Sequence, residues 1–134
     1  MDKNINSKLS FLGYYVKEVT FKTNDSFKSS DEPVKVKFSL NHTTKIEEDK
    51  MYIELNLDVF DNIEENNYPF EMKVKLLGQF AIQGDNIQKF EINGIAILYP
   101  YLRAIVSTYT ANSNIPTLIL PPINVSTYLK NEKD

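Results

Sequence analysis

Three stretches of this chain alternate apolar and polar residues with a period of two, and this alternation constrains the fold more than any other feature. In residues 34–40, Val34, Val36, Phe38 and Leu40 share one parity, with Lys35, Lys37 and Ser39 on the other. Residues 51–59 set Met51, Ile53, Leu55, Leu57 and Val59 against Tyr52, Glu54, Asn56 and Asp58. Residues 70–76 set Phe70, Met72, Val74 and Leu76 against Glu71, Lys73 and Lys75. Such alternation marks strands with one buried and one wet face. A further segment, 14–23, is rich in β-formers. There Tyr15, Val19 and Phe21 share a parity that Lys17 fits badly, and Glu18, Thr20 and Lys22 take the other. Residues 24–33 are turn-formers and charges around Phe27 and read as a crossover loop. Residues 41–49 and 61–68 read as polar connections between antiparallel neighbours. Gly78 offers a place for a bulge, with Phe80 and Ile82 continuing the apolar parity beyond it.

The period then changes. Ile95, Leu98, Leu102, Ile105, Val106 and Tyr109 recur at helical spacing. Pro100 inside that pattern predicts a kink or an early turn. Residues 111–114, ANSN, end the helix, and Pro116, Pro121 and Pro122 keep the following segment extended. Ser126 is placed to cap a last short helix. Strands followed by helices predict an α+β fold: a four-stranded antiparallel sheet with a long helix and a short C-terminal helix on one face, in a single domain over residues 1–134. Ile97, Tyr101 and Ala104 add apolar surface outside the main stripe, so the long helix is expected to have a second partner. Leu98, Tyr101, Leu102 and Ile105 are the residues expected at that oligomer interface.

Little here is equipped for chemistry. The chain has no cysteine, which excludes disulfides, thiolate catalysis and thiolate metal sites. His42 is the sole histidine and reads as a solvated loop residue. The acidic runs 47–49 and 64–65 lack the glycine and oxygen spacing of a calcium loop and read as solvated turns. No nucleophile elbow, phosphate loop, dinucleotide fingerprint or HExxH is present. The expectation is therefore no enzyme, no metal and no cofactor. A net charge of −3 gives no electrostatic case for nucleic acid. No run approaches the roughly 20 apolar residues of a membrane span, and a cytoplasmic location is the default expectation.

At YVKEVTF (15–21) and AILYPYLRAIVSTYTANSNIPTLILPPINV (96–125) the chain resembles the SecB family of protein-export chaperones. The family's long-helix motif is met by Leu98, Tyr99, Pro100, Tyr101 and Arg103, and its following segment by Ile115, Pro116, Leu118, Leu120, Pro122, Asn124 and Val125. The resemblance covers about residues 11 to 129. It implies a homotetramer built as a dimer of dimers that holds unfolded polypeptides or preproteins in apolar grooves without ATP. On that footing the groove residues are Phe27, Val34, Val36, Phe38, Ile115, Leu118 and Ile119, although the strand residues serve equally well as plain core.

The chain departs from export members on the wet sheet face that docks the SecA motor. Glu18 keeps an acidic position, but Lys22 replaces a second acid, and Glu71 and Lys73 stand where the family has a leucine and a glutamate. Added positive charge weakens docking of a basic partner, which puts SecA in doubt. Another branch of the family serves toxin–antitoxin pairs and needs the groove but not the motor contact. A chaperone dedicated to an antitoxin is therefore the alternative. A SecB-fold scaffold that binds a small ligand is a third reading.

Overall fold

The alternation at 51–59 and 70–76 is realised in full. The computed structural model of the protein describes residues 7–31, 35–112 and 118–133. Its elements are β1 (Lys8–Thr23), β2 (Phe38–Glu47), β3 (Lys50–Val59), α1 (Ile63–Asn66), β4 (Phe70–Gln83), α2 (Ile87–Ala111) and α3 (Val125–Lys133). The strands form one four-stranded antiparallel sheet in the order β1-β4-β3-β2. β2, β3 and β4 are sequential neighbours, and β1 closes the far edge beside β4. In β3, Met51, Ile53, Leu55, Leu57 and Val59 are buried, and the residues between them are half-exposed. In β4, Phe70, Met72, Val74, Leu76, Phe80 and Ile82 are buried, and the residues at the other parity are half-exposed or, as at Lys73 and Lys75, exposed. Those inward side chains meet Phe90, Ile95, Leu98, Leu102 and Val106 of α2 in one core.

Two strand expectations need correction. The second strand is not 34–40: β2 begins at Phe38 and runs through the segment expected to be a loop, turning into β3 at Glu48 and Asp49. Its register sets His42 opposite Leu55 and Thr44 opposite Ile53, so both polar residues point toward the core side. Polar residues at inward positions erased the alternation that identifies a strand. They are accommodated because α2 and α3 supply partners. His42 Nδ1 lies 2.9 Å from Tyr128 Oη and Nε2 lies 3.3 Å from Glu91 Oε2, while the Thr44 hydroxyl donates to the same carboxylate. His42 is thus a packed strand residue, not a solvated loop residue.

In β1 the expected parity breaks at Tyr15. Register shifts at Phe11/Gly13 and Val16/Glu18 make Leu12 and Lys17 the extra residues of two bulges. Tyr14 pairs with Gly78 and Val19 with Val74 on the helix side, whereas Tyr15 pairs with Leu77 on the opposite face. The bulge at Lys17 turns its ammonium to Glu54, 2.7 Å away. Gly78 itself sits in regular strand. It is needed for close approach, since a methyl group there would lie 2.4 Å from Leu98 Cδ2.

The long helix begins at Ile87, earlier than the apolar stripe indicates, capped by Asn86, whose side chain accepts from Lys89 N. Gly94 interrupts the stripe where the helix crosses β3, and a methyl there would lie 2.6 Å from Ile53 Cδ1. Pro100 lies inside α2, which continues past it to Ala111. The cap of α3 is Asn124 rather than Ser126: its side chain accepts from Thr127 N at 2.9 Å.

Candidate functional site

Helix α2 presents three different flanks. The first is buried on the sheet and includes Leu98 and Leu102, both 0% exposed. These two residues have no surface left for a second subunit, so the expectation that they form an oligomer interface is corrected: they are core. Tyr101 and Ile105 lie off that row, Tyr101 exposed and Ile105 half-buried.

The second flank faces β1. Tyr101 packs against Tyr14 with ring centroids 4.4 Å apart and against Phe11 at 5.9 Å, and Tyr109 lies 6.4 Å from Phe21. Tyr14, Val16, Tyr101 and Tyr109 all remain exposed. A helix covers only about 10 Å of a sheet, so the β1 side of the inner face keeps an uncovered aromatic strip.

The third flank holds the proline-punctuated segment after the helix. Tyr99 Oη donates to Pro121 O at 2.6 Å, Arg103 Nε to Leu120 O at 2.9 Å and Ser107 Oγ to Leu118 O at 3.2 Å, while Thr110 Oγ1 accepts from Leu118 N at 2.8 Å. Burial pushes the Tyr99 phenol above its ordinary range, opposed by the nearby Arg103 guanidinium. Leu118 is half-buried against the core and Leu120 fully buried, whereas Ile119 is 69% exposed. Sequence reasoning identified the leucines and isoleucines of this segment but not the polar row that holds it. Its signal was present as Tyr99, Arg103 and Ser107 at four-residue spacing.

The crossover loop is anchored similarly. Asn24 is buried, and its Nδ2 donates to Ile63 O at 3.1 Å and Tyr68 O at 3.0 Å. Asn67 and Lys28 exchange two hydrogen bonds, Lys28 N to Asn67 Oδ1 and Asn67 Nδ2 to Lys28 O, both 2.9 Å. Phe27 lies between these pins, half-buried, with its N–H donating to Asn24 O at 3.1 Å. Of the other expected groove residues, Val36 precedes β2 and is exposed, and Phe38 opens β2, half-buried against the core. Val34 and Ile115 lie outside the described residues.

The face away from the helices carries Glu18, Lys22, Glu71 and Lys73, as parity predicts. Cross-strand register places Lys22 opposite Glu71, Lys73 opposite Asp58 and Lys75 opposite Glu18. The face is therefore a mixed lattice of both signs. Hydrogen bonding to Glu54 raises the Lys17 pKa, and the same bond holds Glu54 below the usual carboxylate range against a smaller opposing effect of burial. Concavities on this side, one lined by Tyr52, Glu54 and Leu77 and another by Lys22, Glu71 and Lys73, are open to solvent. Among the described residues no cluster of three or more His, Asp or Glu is placed to hold a metal ion, and no helix is long and apolar enough to cross a membrane.

A model of the family described as preprotein translocase subunit SecB matches residues 2–134. An uncharacterized protein of Methanocaldococcus jannaschii is 36% identical over 130 residues, which cover 92% of this chain and 83% of that protein. A SecB-like chaperone of Mycobacterium tuberculosis, solved in complex with a ChAD peptide from the HigA1 antitoxin, superposes with a TM-score of 0.68 at 10% identity, over 87% of this chain and 88% of that one. A Streptococcus agalactiae protein of unknown function superposes with a TM-score of 0.58 at 12% identity, over 87% and 98% of the two chains. At these identities the two superpositions show a common fold.

Proposed function

Because the chain belongs to the SecB family, we propose that it is an ATP-independent holdase of the cytoplasm, binding unfolded polypeptides or preproteins on apolar surface that its own fold leaves uncovered. The observation that carries this reading is the pairing of a fully packed core with apolar side chains left wholly or partly uncovered: exposed Ile119 on the strap held along α2, half-buried Phe27 in a pinned loop, and exposed Val36 before β2. Burial of apolar client surface is non-directional and stabilises by about 25 cal/mol per Å², so such a surface grips any chain that exposes apolar residues. Phe38 and Leu118 extend it from the core side. The aromatic strip of Tyr14, Tyr101 and Tyr109, with Ile105 beside it, is the surface we assign to subunit contact in a homotetramer arranged as a dimer of dimers.

A second reading is a chaperone dedicated to one antitoxin. Two observations favour it: the Mycobacterium tuberculosis relative in fold is bound to an antitoxin peptide, and the face proposed for SecA docking carries both signs of charge rather than acid alone. A ligand-binding scaffold has less support, since the concavities of the outer face are open to solvent. No step of holding requires a catalytic group, a metal or a cofactor.

The test is light scattering from a reduced, aggregating client with and without the protein, using wild type, Ile119→Asp and Phe27→Asp. Wild type suppresses aggregation and both variants protect less while keeping the particle mass of wild type. Undiminished protection by both variants refutes the site, and absence of protection by wild type refutes the holdase reading. Affinity capture with SecA against capture with a co-encoded antitoxin separates the two readings. Restoring acid with Lys22→Glu and Lys73→Glu strengthens a SecA contact if that face docks the motor.

A further inference from the structure

The strap of residues 118–121 has an unusual backbone problem. It lies outside helix and strand, it precedes Pro122, which has no N–H, and it runs beside a helix whose own carbonyls are engaged. Sheet pairing is not available to satisfy it. Three of its four carbonyl groups are instead met from α2: Ser107 donates to Leu118 O, Arg103 to Leu120 O and Tyr99 to Pro121 O. The order is reversed along the helix, so the strap runs antiparallel to α2. Spacing of four along an α-helix places the three donors in a single row. The Leu118 N–H is also engaged, by Thr110 Oγ1. With Leu120 fully buried and Leu118 half-buried, the residue between them has one direction left, and Ile119 points outward.

We propose that Tyr99, Arg103 and Ser107 are positioning residues for client binding: they hold the strap in place so that Ile119 meets the client from a preformed edge instead of a flexible loop. The inference rests on the holdase reading above. None of the three touches the client. Their effect is to remove, before the client arrives, the conformational freedom that a proline-containing loop loses on binding, and pre-organisation of this kind raises affinity without adding a contact. The row also explains why an apolar segment needs polar side chains beside it. Leucines anchor the strap in depth, and only directional donors set which residue faces out.

The test uses variants that delete a donor with little change of shape, Tyr99→Phe and Ser107→Ala, singly and together, with Ser107→Thr as the variant that keeps a hydroxyl. Two quantities are read: affinity for reduced, carboxymethylated lactalbumin as a permanently unfolded client, and mobility of a nitroxide attached at Ile119→Cys, a unique site because the chain has no other cysteine. The double variant is expected to loosen the probe and to lower affinity by about three- to tenfold, in line with the loss of ordinary hydrogen bonds. Ser107→Thr retains both wild-type values. A loosened probe with unchanged affinity overturns the inference and leaves the holdase reading standing. So does lowered affinity with the probe as rigid as in wild type, which would mean that the side chains act on the client by a route other than holding the strap. If wild type itself does not bind the client, the holdase reading fails and this inference with it.

Discussion

Gly78→Ala probes how closely α2 sits on the sheet. The added methyl would lie 2.4, 2.6 and 2.9 Å from Cδ2, Cδ1 and Cγ of Leu98, where carbon atoms prefer about 3.5–4.0 Å. Leu98 is 0% exposed and cannot swing toward solvent, so the helix or the leucine must shift by about 1 Å. Overpacking of this size costs about 1–3 kcal/mol. Replacing glycine inside a strand returns about 0.5–1 kcal/mol through the unfolded chain. The net expectation is a loss of about 0–2.5 kcal/mol, to be set against the about 5–15 kcal/mol typical of a domain. The assay is urea unfolding at two protein concentrations, because subunit association adds a concentration-dependent contribution. Leu98→Ala alone should cost about 2–5 kcal/mol through its cavity. The double variant should cost less than the sum of the two by about 1 kcal/mol or more, since the new methyl occupies part of the space the leucine leaves. Additive effects would refute the contact. If Leu98 instead served subunit association, its truncation would lower the particle mass and leave protomer unfolding unchanged.

Other perturbations read the electrostatics and the polar row. Since Glu54 is depressed by Lys17, the pair's contribution is fully present above the ordinary glutamate range and is lost as pH falls through the folded value. Lys17→Met should therefore lessen the steepness of acid unfolding, and an unchanged acid limb in a denaturant titration would contradict the pairing. Tyr99 has the opposite sense: the folded state holds its phenolic proton more tightly than the unfolded chain, so stability falls as pH rises past the ordinary tyrosine range. Ultraviolet titration with Tyr99→Phe as the blank should show one late-ionising phenol, and a difference spectrum that titrates in the ordinary range would show that the Tyr99–Pro121 contact is open to water. Asn67→Gly, which keeps the left-handed backbone at this position, removes both bonds to Lys28 and should expose the crossover loop to proteolysis after Lys28 with little loss of core stability; cleavage at the wild-type rate would mean that Asn67 does not hold the loop.

The legible parts of the fold were those in which local pattern and burial coincide. Residues 51–59 and 70–76 sit in the middle of the sheet, covered on one face and wet on the other, so alternation survives in their composition. The edge strand β2 was misplaced because its inward positions carry His42 and Thr44, tolerable there only through Glu91 and Tyr128, residues far along the chain. The start of α2 was missed because Gly94 answers to the proximity of Ile53 rather than to helix propensity. For the site, the apolar segment 115–119 was visible as composition, but the row that aims Ile119 was not, because donors on a helix and carbonyls on a loop become partners only when the chain folds back.

The sequence by itself determined the class of fold, the membership of the family and the absence of thiol chemistry, because period, motif and composition are properties of neighbours along the chain. Tertiary structure decided which apolar residues are left over. Leu98 and Ile119 are equally apolar, yet one is sealed against Gly78 and the other stands in solvent. What separates them is the distance to a partner distant in sequence, and that distance exists only once sheet, helix and strap have packed.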